Sequence, residues 1–163
     1  MLPFIAAIAL AMASAAGAGA APPEAGILVE GRSLGGVHIG WTRRQVVAAW
    51  GPRYGRCRAC ARETLYFNTR PFHPQGAGVE LRRGRVVAAF TIWSPPGWRS
   101  ARGLRIGQPA ARVTATYGTL PTRNCRGYRA IELRGREIRT VIAIVDDAVW
   151  GFALVTDDGP TCR

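Results

Sequence analysis

Two stretches of the chain alternate apolar and polar residues with the period of a half-buried strand: Val79-Glu80-Leu81-Arg82 and Ile131-Glu132-Leu133-Arg134. Each leads into further apolar runs. Arg83-Gly84 turns the first into Arg85–Trp93, and Asp146-Asp147 separates Glu137–Val145 from Ala148–Val155 in the second. Thr64–Asn68 is another strand candidate. Upstream of each group the period lengthens to that of a helix. Val46 and Trp50 stand four apart, as do Val113 and Tyr117, so each pair shares one helical face. Thr42 and Gln45 have the spacing of a capping box, Pro109 suits a first helical position, and Gly51 and Gly118 stand where a left-handed C-terminal cap is needed. Helices are expected near 43–50 and 109–117.

The two helix segments align without gaps. The glycines at 36, 40 and 51 return at 103, 107 and 118; Ile39, Val46 and Ala48 return as Ile106, Val113 and Ala115, and Trp50 becomes Tyr117. A helix followed by antiparallel strands, twice over, predicts an α+β fold of two tandem repeats, 27–96 and 97–163, with the helices packed on one face of an antiparallel sheet. Ser94-Pro95-Pro96-Gly97 reads as the corner between them.

The repeated pattern, Gly36, Ile39, Gly40, Val46 and Gly51 with Gly103, Ile106, Gly107, Val113 and Gly118, resembles the tandem-repeat fold of the secreted β-lactamase inhibitory proteins. A single unit also resembles the small outer-membrane assembly lipoproteins. The first resemblance implies a concave sheet surface that grips a partner protein, and the second a scaffold in the cell envelope. No inhibitory contact residue of the first family is matched, nor is the lipid-bearing cysteine of the second.

Residues 1–21 carry an expected export signal. Leu2 to Ala21 contains no charged residue, Phe4–Met12 is an apolar core, and small-residue triplets such as Ala18-Gly19-Ala20 supply cleavage sites, so a mature chain should begin between Ala16 and Pro22. The expected location is therefore secreted, periplasmic or in the envelope, without a membrane anchor after cleavage. The four cysteines, Cys57, Cys60, Cys125 and Cys162, all lie beyond the signal, and an even count in an exported chain reads as two disulfides. Sequence alone allows three pairings; the shortest loop favours Cys57 with Cys60, leaving Cys125 with Cys162.

The net charge is +12, and all 22 basic residues are arginine. Such a balance suits an anionic partner. It also suits a GC-rich genome, and the arginines run from Arg32 to Arg163 without gathering on one segment. Only weak polyanion binding is expected.

Candidate chemistry is sparse. Cys57-Arg58-Ala59-Cys60 has the spacing of a thiol–disulfide oxidoreductase motif, with Arg56, Arg58 and Arg62 near enough in sequence to favour a thiolate. It stands, however, past a helix and before a strand. The histidines, His38 and His73, have no partner motif, and the pairs Asp146-Asp147 and Asp157-Asp158 read as turns. No nucleophile elbow, phosphate loop or metal-binding helix occurs, and no catalytic residue, metal or cofactor is assigned. The leading expectation is a non-enzymatic module that binds a protein through its sheet face, with Phe72, Arg82, Trp93, Trp98 and Arg134 as the candidate binding residues. The alternative is an envelope thiol–disulfide oxidoreductase using Cys57 and Cys60.

Overall fold

A computed structural model describes residues 25–57, 59–70 and 73–162. The expected signal segment lies outside the described residues. In chain order the elements are β1 (Ala25–Val29), β2 (Ser33–Leu34), β3 (Val37–His38), α1 (Arg43–Trp50), β4 (Gly55–Cys57), β5 (Glu63–Arg70), β6 (His73–Arg82), β7 (Arg85–Ile92), β8 (Gly97–Ser100), α2 (Ala111–Tyr117), β9 (Thr122–Cys125), β10 (Tyr128–Arg134), β11 (Ile138–Val145) and β12 (Ala148–Thr156). They form two sheets. The larger is antiparallel, in the order β4-β5-β6-β7-β12-β11-β10-β9, and the smaller runs β3-β2-β1-β8.

This corrects the expected α+β fold of two repeats with helices covering a single sheet. The protein is mostly β, with two helices of about two turns each among the described residues. The first helix forms where the pattern places it, and Thr42 and Gln45 close its capping box; the second starts only at Ala111, without a side-chain cap, because Pro109 is held in a β-bridge to Ala148 rather than opening the helix. Two turns are too short to cover eight strands. The remaining cover is the small sheet, built from segments whose pairing no local period reveals. In it β8 lies parallel to β1, with Ile27 opposite Arg99, so the stretch after the Pro-rich corner is a strand rather than a linker. The chain leaves α1 at Gly51 with φ 85° and ψ 168°. That backbone region is essentially reserved to glycine; it is not the left-handed cap expected, and Gly118 ends α2 in the same way, with φ 78° and ψ −169°.

The core lies between one face of the large sheet and these covering elements. Val46 and Trp50 of α1, Val113 of α2 and Leu28, Leu34 and Val37 of the small sheet pack with Leu65, Phe67, Val79, Ile142, Phe152 and Leu154 of the large one. Trp50 meets Phe67 edge-on at 5.3 Å between centroids and Trp98 at 6.5 Å, and donates its indole N–H to the Gly35 carbonyl. No helix among the described residues is long and apolar enough to cross a membrane.

Candidate functional site

The second face of the large sheet is free of helices. Partners directly across an antiparallel ladder share a face, so the register identifies its residues. Phe90 faces Ala153, which faces Val141; Ala88 faces Val155; Ala143 faces Ala130; and Tyr128 faces Cys125. Ala88, Ala130, Val141, Ala153 and Val155 form a small apolar floor of their own, with Phe90 and Tyr128 packed against it. Alanine, valine and glycine keep this floor low, and two hollows open over it. One, of about 200 Å³, is walled by Phe90, Ile92, Trp93, Tyr128 and Trp150. The other, of about 530 Å³, lies between Arg62, Tyr66, Glu80 and Phe90 on one side and Pro160 and Cys162 on the other.

Trp93 stands at the rim of the first hollow, just past the end of β7. It is 59% exposed, and its ring lies 6.4 Å from that of Trp150. Its backbone takes φ 56°, and Ser94 follows with φ 52°. Two consecutive non-glycine residues in the left-handed region cost on the order of 1–2 kcal/mol each. Strain of this kind persists where the surrounding structure enforces it and is concentrated at functional sites.

Beneath the C-terminal residues lies a buried charge network. Glu132 on β10 is 2% exposed and Arg139 on β11 is 8% exposed. Glu132 receives Arg123 at 3.2 Å, Arg139 at 3.5 Å and Arg134 at 3.7 Å. Burial by itself would raise the Glu132 pKa; hydrogen bonds from Arg123 and Thr161 and the charges of Arg139 and Arg123 outweigh it and hold the carboxyl below its ordinary value. Arg139 donates to Thr161 Oγ1 at 3.0 Å and to the carbonyls of Asp157 and Gly159 at 2.8 and 2.6 Å. Tyr128 adds a hydrogen bond to the Thr161 carbonyl at 3.3 Å.

The candidate binding residues separate. Trp93 is exposed, as described. Arg82 is exposed at the end of β6 and pairs with Asp158 at 2.9 Å, while Arg134 is exposed at the end of β10 beside Glu132. Phe72 lies outside the described residues. Trp98 is corrected: it is fully buried. The alternation of β8 turns it inward against Trp50, over Gly26 and Gly35, where an added Cβ would come within 2.6 and 2.7 Å of its ring. It is a core residue and cannot touch a partner. Sequence reasoning passed over Phe90, Tyr128, Trp150 and Arg139, and expected Glu132 on the open face as a solvated residue rather than a buried one. Phe90 and Ile92 sit at alternate positions of the stretch Val86–Trp93, apolar except at Thr91, and so long an apolar stretch does not show which of its faces is open. Glu132 looked like the wet half of an alternating strand, and its burial depends on a chain segment 25 or more residues away.

The disulfides are Cys57–Cys60 and Cys125–Cys162. Cys57 is the last residue of the edge strand β4, not the first of a helix, so the positive end of a helix dipole does not act on it. His38 stacks on Trp41 at 5.0 Å.

No known protein family matches the sequence, and no curated protein matches it. Solved structures do. An extracellular protein containing an SCP domain, from Bacillus anthracis, aligns with a TM-score of 0.53 at 14% identity, over 73% of this chain and 44% of that one. A cysteine-rich secretory protein from Staphylococcus aureus aligns with a TM-score of 0.48 at 13% identity, over 74% of this chain and 44% of that one. The chain thus spans less than half the length of either. The first of these likenesses, with the two-sheet architecture, overturns the expected kinship with β-lactamase inhibitory proteins and outer-membrane assembly lipoproteins. The glycine-punctuated helix pattern that suggested it encodes a turn, a helix and a stop, and folds of different lineage share that need. What the chain has in common with the B. anthracis protein is its fold.

Proposed function

We propose that this chain is an exported, non-enzymatic binding protein that holds a protein partner on the open face of its eight-stranded sheet. One observation carries the reading: the tryptophan most accessible to solvent is held in a strained backbone at the mouth of an unfilled apolar hollow. Sites that bind by contact are concave and apolar with a few aromatic anchors, and tryptophan, tyrosine and arginine dominate their energetics. Trp93, Trp150, Tyr128 and Phe90 are the anchors here, with Arg82 and Arg134 outside them. The signal segment, the paired cysteines and the extracellular neighbour support the exported location. The test is site-specific photo-crosslinking in cells that produce the protein, with the reactive group at Trp93 or, as a control, at Arg44 on the exposed side of α1. A discrete adduct at position 93 and none at 44 supports the reading. Identical adducts at both positions, or none at 93, would sink it.

A second reading, thiol–disulfide exchange, draws on the exposure of Cys60 at the larger hollow. It is tested by reduction of a disulfide-bonded model substrate: turnover that disappears in Cys57→Ser would favour it over simple binding.

A further inference from the structure

The segment 157–162 crosses the open face described above. It leaves the end of β12 in the middle of the large sheet, and a tight turn follows, with the Gly159 amide bonded to the Thr156 carbonyl at 2.8 Å. It then passes over β11 and β10, where Arg139 and Tyr128 take its carbonyls and the Thr161 hydroxyl. It ends in a disulfide to Cys125 on the outer strand β9. Thr161 closes one end of the smaller hollow and Pro160 and Cys162 wall the larger, while Phe90 lines both. The segment therefore borders both hollows, the smaller one apolar and the larger one carrying the Arg62–Glu80 ion pair on its far wall.

We propose that residues 157–162 are a disulfide-locked strap, and that cleavage of Cys125–Cys162 by an external dithiol frees it and joins the two hollows into one binding trough. The inference concerns regulation of the face assigned above and rests on that assignment. Its geometry allows the chemistry. Cys162 lines the larger hollow and is partly exposed, so an incoming thiolate can reach its sulfur. Attack there forms a mixed disulfide and expels Cys125 as a thiolate, which takes up a proton. The second thiol of the reductant then displaces Cys162, which is protonated in turn. The dithiol leaves as a cyclic disulfide, and two electrons have passed to the protein.

The bond is what makes the strap permanent. Its other ties are the hydrogen bonds donated by the buried Arg139 and by Tyr128 and the exposed Arg82–Asp158 ion pair, and Pro160 is exposed. The ring closed by the disulfide has a sequence separation of 37; with β9–β12 still folded, only residues 157–162 gain freedom when the bond is cleaved.

The experiment uses the full chain with Cys57→Ser and Cys60→Ser, so that only one disulfide responds to dithiothreitol. Amide exchange and the fluorescence of 1-anilinonaphthalene-8-sulfonate are read in the oxidised and reduced states. The expected result is exchange at least tenfold faster at the Gly159 amide, which is bonded to the Thr156 carbonyl in the closed strap, and several-fold brighter dye, with strands β6 and β7 still protected. A Cys125→Ser/Cys162→Ser variant should match the reduced state without reductant. Unchanged exchange at the Gly159 amide after reduction, or faster exchange only in step with β6 and β7, overturns the strap. Crosslinking at position 93 separates the two claims. Adducts that form equally with the disulfide intact refute the regulation and leave the binding face standing, whereas an opened trough with no adduct refutes the binding face and leaves the strap standing.

Discussion

Replacing Glu132 by glutamine probes the charge network directly. The side chain keeps its shape and one carbonyl acceptor, so the change is chiefly the loss of a charge. Arg139, 8% exposed, would then hold a buried cation with no counter-ion. Breaking a buried pair by removing one partner costs about 3–5 kcal/mol. The contacts from Arg123 and Arg134 add little, because those side chains are 55% and 64% exposed and exposed pairs contribute at most about 1 kcal/mol. The expected loss for Glu132→Gln at neutral pH is therefore about 3 kcal/mol, read as a lower urea midpoint with an unchanged slope. Acidity supplies a second readout. A carboxyl whose folded pKa is depressed contributes stability above its unfolded value and loses it as pH falls through the folded one. The gap between wild type and variant should thus be full at pH 7 and close as pH drops below the ordinary glutamate value of about 4.3. A loss under 1 kcal/mol at pH 7, or a gap that stays constant down to pH 2, would show that Arg139 is neutralised by solvent rather than by Glu132.

Trp98→Ala should cost about 3–5 kcal/mol, the usual range for a fully buried large aromatic, whereas Trp93→Gly should change stability by less than about 1 kcal/mol because strain relief offsets the lost contact; denaturant unfolding of the two side by side checks the contrast. Cys162→Ser should destabilise by about 4 kcal/mol and Cys60→Ser by about 2, following ring size, and thermal melts with and without reductant decide the order. The Tyr117 phenol is raised by burial and then by its hydrogen bond to Glu30. The unfolded chain therefore ionises first, so stability is complete below the ordinary tyrosine range of about 10 and falls as pH rises above it. Wild type should lose urea resistance between pH 9 and 11.5 more steeply than Tyr117→Phe, and parallel curves would contradict the shift.

What could be read from sequence was whatever short-range chemistry decides. The Thr42–Gln45 cap, the helix stop at Gly51 (though not its conformation), the turn at Arg83-Gly84 and the alternation around Leu81 are each settled within a few residues, and each stands where the pattern places it. The pairing of Cys57 with Cys60 follows from proximity in the chain. The second sheet could not be read this way. Ser33–Leu34 and Val37–His38 are strands of two residues, too short to carry a period, and β1 finds its parallel partner on the far side of both α1 and the first strands of the large sheet. The open face was hidden for a related reason. Phe90, Val141 and Ala130 become neighbours only once the ladder register is known, and Glu132 is buried by a tail that local alternation cannot announce. Trp98 was misjudged because a proline-rich approach looks like a loop even where a strand begins two residues later.

The parallel pairing of β1 with β8 also has a consequence in time. The first strand of the chain bonds to one some seventy residues further on, with Ile27 opposite Arg99. Synthesis at the usual 5–20 residues per second delivers the partner roughly 4–14 seconds later. Over that interval Leu28, which ends fully buried, and one unpaired backbone edge must be kept from other chains. The small sheet is thus a late event by construction, since long-range parallel pairing cannot begin until the loop is complete. A chain stalled before Gly97 would present β1 with one edge held only by the two-residue strand β2 and the other edge unpaired, and a slow final phase that vanishes when β1 is deleted would be its kinetic signature.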